Sequence, residues 1–246
     1  MEQLNTTAIS FNPNSAGHFL SGHPERPERL QAILDELERN PIENLVTIPT
    51  RPADEEEVAL VHSKNYIERV KDYSAYGMHL DPDTYTTPAT LSSALTAVGG
   101  ALNMVEKVIN GEITNGFVLV RPPGHHALSD RAMGFCVFNN IAIAARFAQQ
   151  QKSIHKVAIV DFDVHHGNGT QAIVQEDPNI LFISSHAYPF YPGSGAIDDT
   201  GGRGMVINCP LPRGIGDSVF VKLYQEIVVP ALYRFQPDII LVSAGY

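Results

Sequence analysis

Val157-Ala158-Ile159-Val160 is uniformly apolar. It runs straight into Asp161-Phe162-Asp163-Val164-His165-His166-Gly167-Asn168-Gly169, ahead of a short helical stretch at Thr170–Val174. A short apolar run, bounded by polar residues and followed by a helix, reads as a strand buried on both faces. The same grammar recurs on either side. Phe117–Val120 is a buried-type strand followed by Arg121-Pro122-Pro123-Gly124-His125-His126, with a helix at Asn139–Gln149. Ile180–Ile183 is followed by Ser184-Ser185-His186, and further strands read at Met205–Asn208 and Ile239–Val242. Apolar strands separated by helices predict an α/β fold, a parallel sheet with helices on both faces. Ligands of such sheets bind beyond the carboxyl ends of the strands. All three polar clusters stand at such ends.

Toward the N-terminus, Thr7–Phe11 reads as a strand and His23-Pro24-Glu25-Arg26-Pro27-Glu28-Arg29 as a Pro-rich charged loop. Leu30, Ile33, Leu34 and Leu37 follow at helical spacing. Asn44–Ile48 reads as a strand, Asp54–Val61 as a helix with an N-cap residue and acidic first turn, and Lys64–Asp72 as a second helix. His79–Pro88 is loop, Ala89–Ile109 a long small-residue helix, and Val219–Phe235 a helix that Pro230 bends. With no repeat or low-complexity linker, residues 1–246 read as one domain. The 43% hydrophobic and 18% charged residues allow a sizeable core. A net charge of -10 argues against general binding to nucleic acid or anionic membrane, and weakly suits a cationic partner. The 2 cysteines, Cys136 and Cys209, exclude a disulfide scaffold and point to reduced thiols in a cytoplasmic setting. No apolar run is long enough to span a membrane, and Met1–Ser10 lacks the basic and apolar regions of a signal peptide.

In extended backbone, residues two apart share a face, which puts Asp161, Asp163 and His165 on one side. Two carboxylates beside an imidazole call for a cation, and this mixed donor set suits zinc; a solvated Asp/His loop is the plainer alternative. Adjacent histidines such as His125-His126 also occur as ordinary surface or core residues. Here Pro122, Pro123 and Gly124 stiffen their loop and allow close backbone approach. A histidine that is not a metal ligand can serve as a general base.

Arg121–His126, Gly134-Phe135-Cys136-Val137-Phe138-Asn139-Asn140 and Asp161–Gln171 together resemble the histone deacetylase family, which includes zinc lysine deacetylases and bacterial acetylpolyamine amidohydrolases. His23–Leu30, Tyr191-Pro192-Gly193-Ser194-Gly195 and Val242–Tyr246 extend the match over nearly the whole chain. The resemblance implies an arginase/deacetylase-like fold and zinc held by Asp163 and His165. It implies His126 as general base, His125 as its electrostatic pair with Asp161 as hydrogen-bond partner, and Asn168 as partner of His126. Asn in place of Asp there points to the class II-like or bacterial branch. Gly134 would offer a carbonyl to the substrate amide, and Phe135 and Tyr191 would wall the acyl-lysine tunnel. Without the motifs those two would read as core aromatics. A monovalent cation, K+, is implied at Asp161, Asp163, His165 and Ser184. Asp81 or Asp83 reads either as a rim acid or as solvated loop. Arg26, Arg29, His18 and His62 read as structural or solvated, and His186 has no assigned role.

In the family, the segment after the final Ser-Ala-Gly-aromatic supplies a third zinc ligand, and a catalytic tyrosine lies further on. The sequence stops at Tyr246, which leads to the expectation of a C-terminally truncated deacetylase lacking the last strands. The function expected is removal of an acetyl group from acetyl-lysine or a small acetylated amine. The alternatives are an inactive fragment or pseudoenzyme binding module, an acetylpolyamine amidohydrolase, and a binuclear manganese ureohydrolase. The single Asp-x-Asp-x-His cluster and the His pair disfavour the last. No insertion of the acetylpolyamine kind is evident between Tyr66 and Thr90.

Overall fold

The structure is a computed structural model that describes residues 6–245. Tyr246 and Met1–Asn5 lie outside the described residues. The chain divides into two compact units, up to Ala144 and from Ala145.

The first unit is built on a parallel sheet of β1 (Thr7–Phe11), β2 (Leu45–Thr47) and β3 (Asn115–Leu119), in the order β2-β1-β3. Helix α1 (Glu28–Arg39) turns inward the four residues that its spacing singled out: Leu30, Ile33, Leu34 and Leu37 are half-buried, and the rest are exposed. Helix α2 (Glu55–Val58) starts on a capping box. Asp54 Oδ1 accepts from Glu57 N–H at 2.8 Å, and Glu57 Oε2 accepts from Asp54 N–H at 2.9 Å. Helix α3 (Lys64–Tyr76) begins at the Ser63 cap and runs a turn past its expected end, to Gly77 at φ 64. Helix α4 (Thr90–Ile109) buries Ala94, Ala97, Gly99 and Gly100. A Cβ on Gly99 would collide with the Arg51 and Pro52 backbone, so small residues do permit the close approach expected of this helix. Ala8, Met104 and Ile113 form a core, with Ile48, Val108 and Val118 against it.

Helix α5 (Asn140–Gln149) leads into the second unit, whose sheet holds β4 (Val157–Asp161), β5 (Ile180–Ala187), β6 (Val206–Leu211) and β7 (Ile239–Ser243). The order is β6-β5-β4-β7, all parallel. Helix α6 (Asn168–Val174) follows β4. Ala158, Val160, Leu181 and Ile183 pack with Val228 and Ala231 into the core of this unit. Two expectations change here. Ser184–His186 do not follow β5 but lie within it: Ser184 and His186 bond each other along the strand, and Ser185 reaches the Asp161 carbonyl and the Tyr224 hydroxyl. The single helix expected at Val219–Phe235 is α7 (Asp217–Leu223), a widened π turn at Tyr224–Val228, and α8 (Val229–Phe235). Pro230 has no N–H for the carbonyl one turn back, and the widened turn takes up the mismatch. On β7, Ile240 and Val242 are about half exposed, at 49% and 52%. Among the described residues no helix is long and apolar enough to cross a membrane.

Candidate active site

In the first unit, His125 and His126 are buried, with ring centroids 3.9 Å apart. Their loop is held from several sides. A Cβ on Gly124 would come within 2.6 Å of the Phe138 carbonyl and 2.7 Å of the Asn140 nitrogen, so the backbones are in direct contact. His126 N–H donates to Cys136 Sγ at 3.4 Å. Behind the pair, Arg121 is almost fully buried and grips Glu25 through Nε and Nη2. It also donates to the carbonyls of Ser15 (3.1 Å) and His18 (2.8 Å). Burial pushes the Glu25 carboxyl up, but hydrogen bonds from His18 and Arg121 outweigh it and hold its pKa down at about 2.

His62, which the sequence left as structural or solvated, is a buried brace. Its Nε2 accepts from Asn139 N–H at 2.9 Å, while Asn139 Nδ2 donates to the Ala127 carbonyl at 3.0 Å. Burial pushes its pKa down from 6.5 to about 4, offset only in part by the Ser129 and Leu128 backbone. The unfolded chain therefore gains a proton below pH 6.5 that the folded chain refuses until about pH 4. Stability should fall across that window, by at most about 1.4 kcal/mol per pH unit. His62→Gln keeps an acceptor for Asn139 and cannot titrate. Thermal unfolding at pH 7 and pH 5 should show a smaller acid loss in this variant, and equal losses would refute the assignment.

Gly134 and Phe135 form the turn of a short bridge between Met133 and Cys136, at φ 57 and 69. Positive φ at a Phe is strained, and such strain is found where surrounding contacts enforce it. Here Phe135 N–H donates to Thr84 Oγ1 at 3.1 Å, and the ring meets His23 edge-on at 4.6 Å. Asp83 accepts from Gly134 N–H. Burial, and then the neighbouring Asp81, push the Asp83 pKa up. Asp83 thus touches the Gly134–Phe135 turn.

In the second unit, Asp163 and His165 come together. Asp163 Oδ1 lies 3.0 Å from His165 Nδ1, and both side chains are partly exposed. Two donors on a tetrahedral zinc, with bonds of about 2.0–2.1 Å, stand roughly 3.3 Å apart, so the pair fits such an ion. Asp161 does not join them. β4 ends at Asp161 and the chain then bends, so alternate residues no longer share a face. The Asp161 carboxylate is fully buried, accepts from Asp163 N–H at 3.1 Å, and lies where a Cβ on Gly167 would be. Among the described residues no third His, Cys, Asp or Glu completes a metal-holding group. Of the residues implied for a monovalent cation, Asp161 pairs with Ser184 across β4 and β5. Ser184 Oγ lies 3.0 Å from His186 Nδ1, in reach to donate its proton there and leave its lone pairs for a cation. Asn168 opens α6, its N–H bonded to the His166 carbonyl at 2.8 Å.

Aromatic rings flank His165. Phe190 stacks on it at 5.1 Å and 9°, and Tyr191 meets it edge-on at 5.8 Å. Arg213 covers the Phe190 ring at 4.5 Å. Sequence reasoning named Tyr191 and missed Phe190, although the adjacency of two aromatics in a Pro/Gly-rich loop was a usable signal. Beyond β7, a Cβ on Gly245 would land on the Asp163 carboxylate. Gly245→Ala should therefore displace that oxygen and lower zinc affinity about 10–100-fold, the scale set by disturbing a ligand's support. A metal titration reads this directly, and unchanged affinity would show that Asp163 is not a ligand.

The model of the histone deacetylase domain matches residues 23–246. The chain is 42% identical to "Histone deacetylase 10, chloroplastic" of Oryza sativa subsp. japonica, over 94% of this chain and 57% of that protein. It is 38% identical to "Polyamine deacetylase HDAC10" of Homo sapiens, over 99% of this chain and 40% of that protein. The crystal structure of the HDA15 HD domain superposes with a TM-score of 0.93 at 37% identity, covering 98% of this chain and 72% of that one. The chain belongs to the histone deacetylase family. It spans about half the length of these two relatives.

Proposed function

We propose that this protein is a zinc-dependent amide hydrolase that removes an acetyl group from acetyl-lysine or a small acetylated amine. The observation that carries the reading is the Asp163–His165 donor pair, 3.0 Å apart and flanked by Phe190 and Tyr191. A carboxylate and an imidazole converging beside aromatic rings suit a metal that faces an apolar substrate stem.

When bound, zinc would supply Lewis acidity toward the acetyl carbonyl and toward water. The chain's own residues do the rest. His126 takes a proton from the attacking water at an imidazole nitrogen and returns it to the leaving amine. His125 steadies the charge that develops beside it. Phe135 and Tyr191 contact the methylene stem, and the Gly134 carbonyl accepts from the substrate amide. Asp83, tied to Gly134 N–H, sits where it can meet the donor groups flanking the acetylated side chain. The net charge of -10 suits a product that leaves as a cation.

The test is acetate release from an acetyl-lysine peptide by the full gene product, before and after zinc removal with a chelator. Turnover lost with the metal and restored by zinc supports the reading; turnover indifferent to the metal refutes it. An N-acetylated polyamine run in parallel separates the two substrates, and the human relative's name makes that arm worthwhile.

A further inference from the structure

The loop between β5 and β6 carries Tyr191, and backbone bonds hold it at several points, Asp199 N–H to the Ala196 carbonyl at 3.0 Å among them. Tyr188 N–H reaches the Leu211 carbonyl at 2.8 Å and Gly193 N–H the Phe190 carbonyl at 2.6 Å. Its Ser194-Gly195 end is also held by two buried histidines to which the proposed reaction assigns no step. His186 Nε2 lies 3.0 Å from the Gly195 carbonyl, and His186 Nδ1 lies 3.0 Å from Ser184 Oγ. His166 Nδ1 lies 2.8 Å from Ser194 Oγ, and His166 Nε2 lies 2.9 Å from Gln171 Oε1.

The proton positions follow from the partners. A carbonyl only accepts, so His186 carries its hydrogen on Nε2 and accepts the Ser184 hydroxyl at Nδ1. Gln171 Nε2 donates to the Asp199 carboxylate at 2.7 Å, and Gln171 Oε1 accepts from Asn208 Nδ2 at 2.9 Å. The amide orientation is thereby fixed, so His166 donates from Nε2 and accepts the Ser194 hydroxyl at Nδ1. Both imidazoles are about 2% exposed, with ring centroids 4.7 Å apart. Gly195 is wedged against them at φ +86, where a Cβ would stand 2.7 Å from His166 Cγ and collide with His186 Nε2.

We propose that His166 and His186 are positioning residues that clamp the Ser194-Gly195 end of the wall loop, and through it set how tightly Tyr191 grips the substrate stem. This rests on the deacetylase reading for the role of Tyr191; the clamp itself does not.

The two histidines reach the loop through opposite ring nitrogens, which makes the test selective. Asn places an amide where Nδ1 stands, and Gln where Nε2 stands. His186→Gln and His166→Asn therefore keep their loop contacts, while His186→Asn and His166→Gln lose them. In the full gene product, hydrogen exchange over residues 190–195 should quicken roughly 5- to 10-fold in the second pair only, the scale of one buried hydrogen bond. The KM for an acetyl-lysine peptide should rise by a similar factor in that pair, with kcat within about twofold. Zinc content should match wild type in all four. All four behaving alike would overturn the clamp. Zinc loss confined to the second pair would overturn it too, by placing the effect on His165. A wild-type protein that hydrolyses no acetyl amide would sink the functional reading alone, because the exchange comparison needs no substrate.

Discussion

His126→Ala should lower kcat for an acetyl-lysine peptide by about 10²–10⁴, the usual contribution of a positioned general base, while zinc content stays at the wild-type level. Two buried imidazoles 3.9 Å apart cannot both be protonated without strong mutual repulsion. The backbone around His126 does not depend on its ring. Its N–H is bonded to Cys136 Sγ, and the loop is anchored by Gly124 and Asn139. Loss of activity in the variant should thus come without loss of fold, as circular dichroism and zinc analysis would report. A variant that keeps more than about a tenth of wild-type turnover would remove His126 from the role of general base.

Glu25→Ala should cost about 3–5 kcal/mol of stability, the usual penalty for stranding a buried charge. At about 2–4 °C per kcal/mol for a chain of this size, the melting temperature should fall by roughly 6–20 °C. The stranded group is the Arg121 guanidinium, which has no route to water. The carbonyls of Ser15 and His18 would remain as its acceptors, with no negative charge to offset its own. The double variant Glu25→Leu with Arg121→Met removes both charges and should recover part of the loss, because desolvating the pair is itself costly. A single-variant melting temperature within about 2 °C of wild type would refute the account. Acid probes the same contact. The Glu25 carboxyl is held at about 2 in the folded chain against 4.5 ordinarily, so the unfolded state binds the extra proton between those values. The stability it contributes is whole above pH 4.5 and is lost as the pH falls toward 2.

β4 was legible because burial on both faces leaves a pure apolar run, Val157–Val160, whereas β3, expected to be buried in the same way, is exposed over Asn115–Phe117 and was legible by its apolar residues alone. The end of β5 was not, because Ser184 and His186 look like loop residues until it is seen that, two apart, they satisfy each other on one face of the strand. The motif histidines and Asp163 were legible as chemistry because their partners are close in sequence. The shared face expected of Asp161, Asp163 and His165 was not legible correctly, because β4 stops at Asp161 and strict alternation stops with it. His62, Phe190, His166 and the Glu25–Arg121 pair were not legible as supports. Ser194, Asn139 and Ser15, which His166, His62 and Arg121 reach, lie 28, 77 and 106 positions away, and Phe190 stands in a loop whose path no local pattern dictates. Pro230 announced a bend in its helix, but not that a widened turn would absorb it.

Glycines stand against polar side chains of the second unit: Gly167 against Asp161, Gly195 against His186 and His166, and Gly245 against Asp163. Each marks a volume that must stay empty for a donor or a ring to occupy its place. An inventory of the site by its functional groups would omit all three. Moving this constellation onto another α/β scaffold would therefore require blank positions as strictly as ligands. A host offering the same carboxylates and imidazoles, but a methyl group at any of these points, would present the right chemistry in the wrong place.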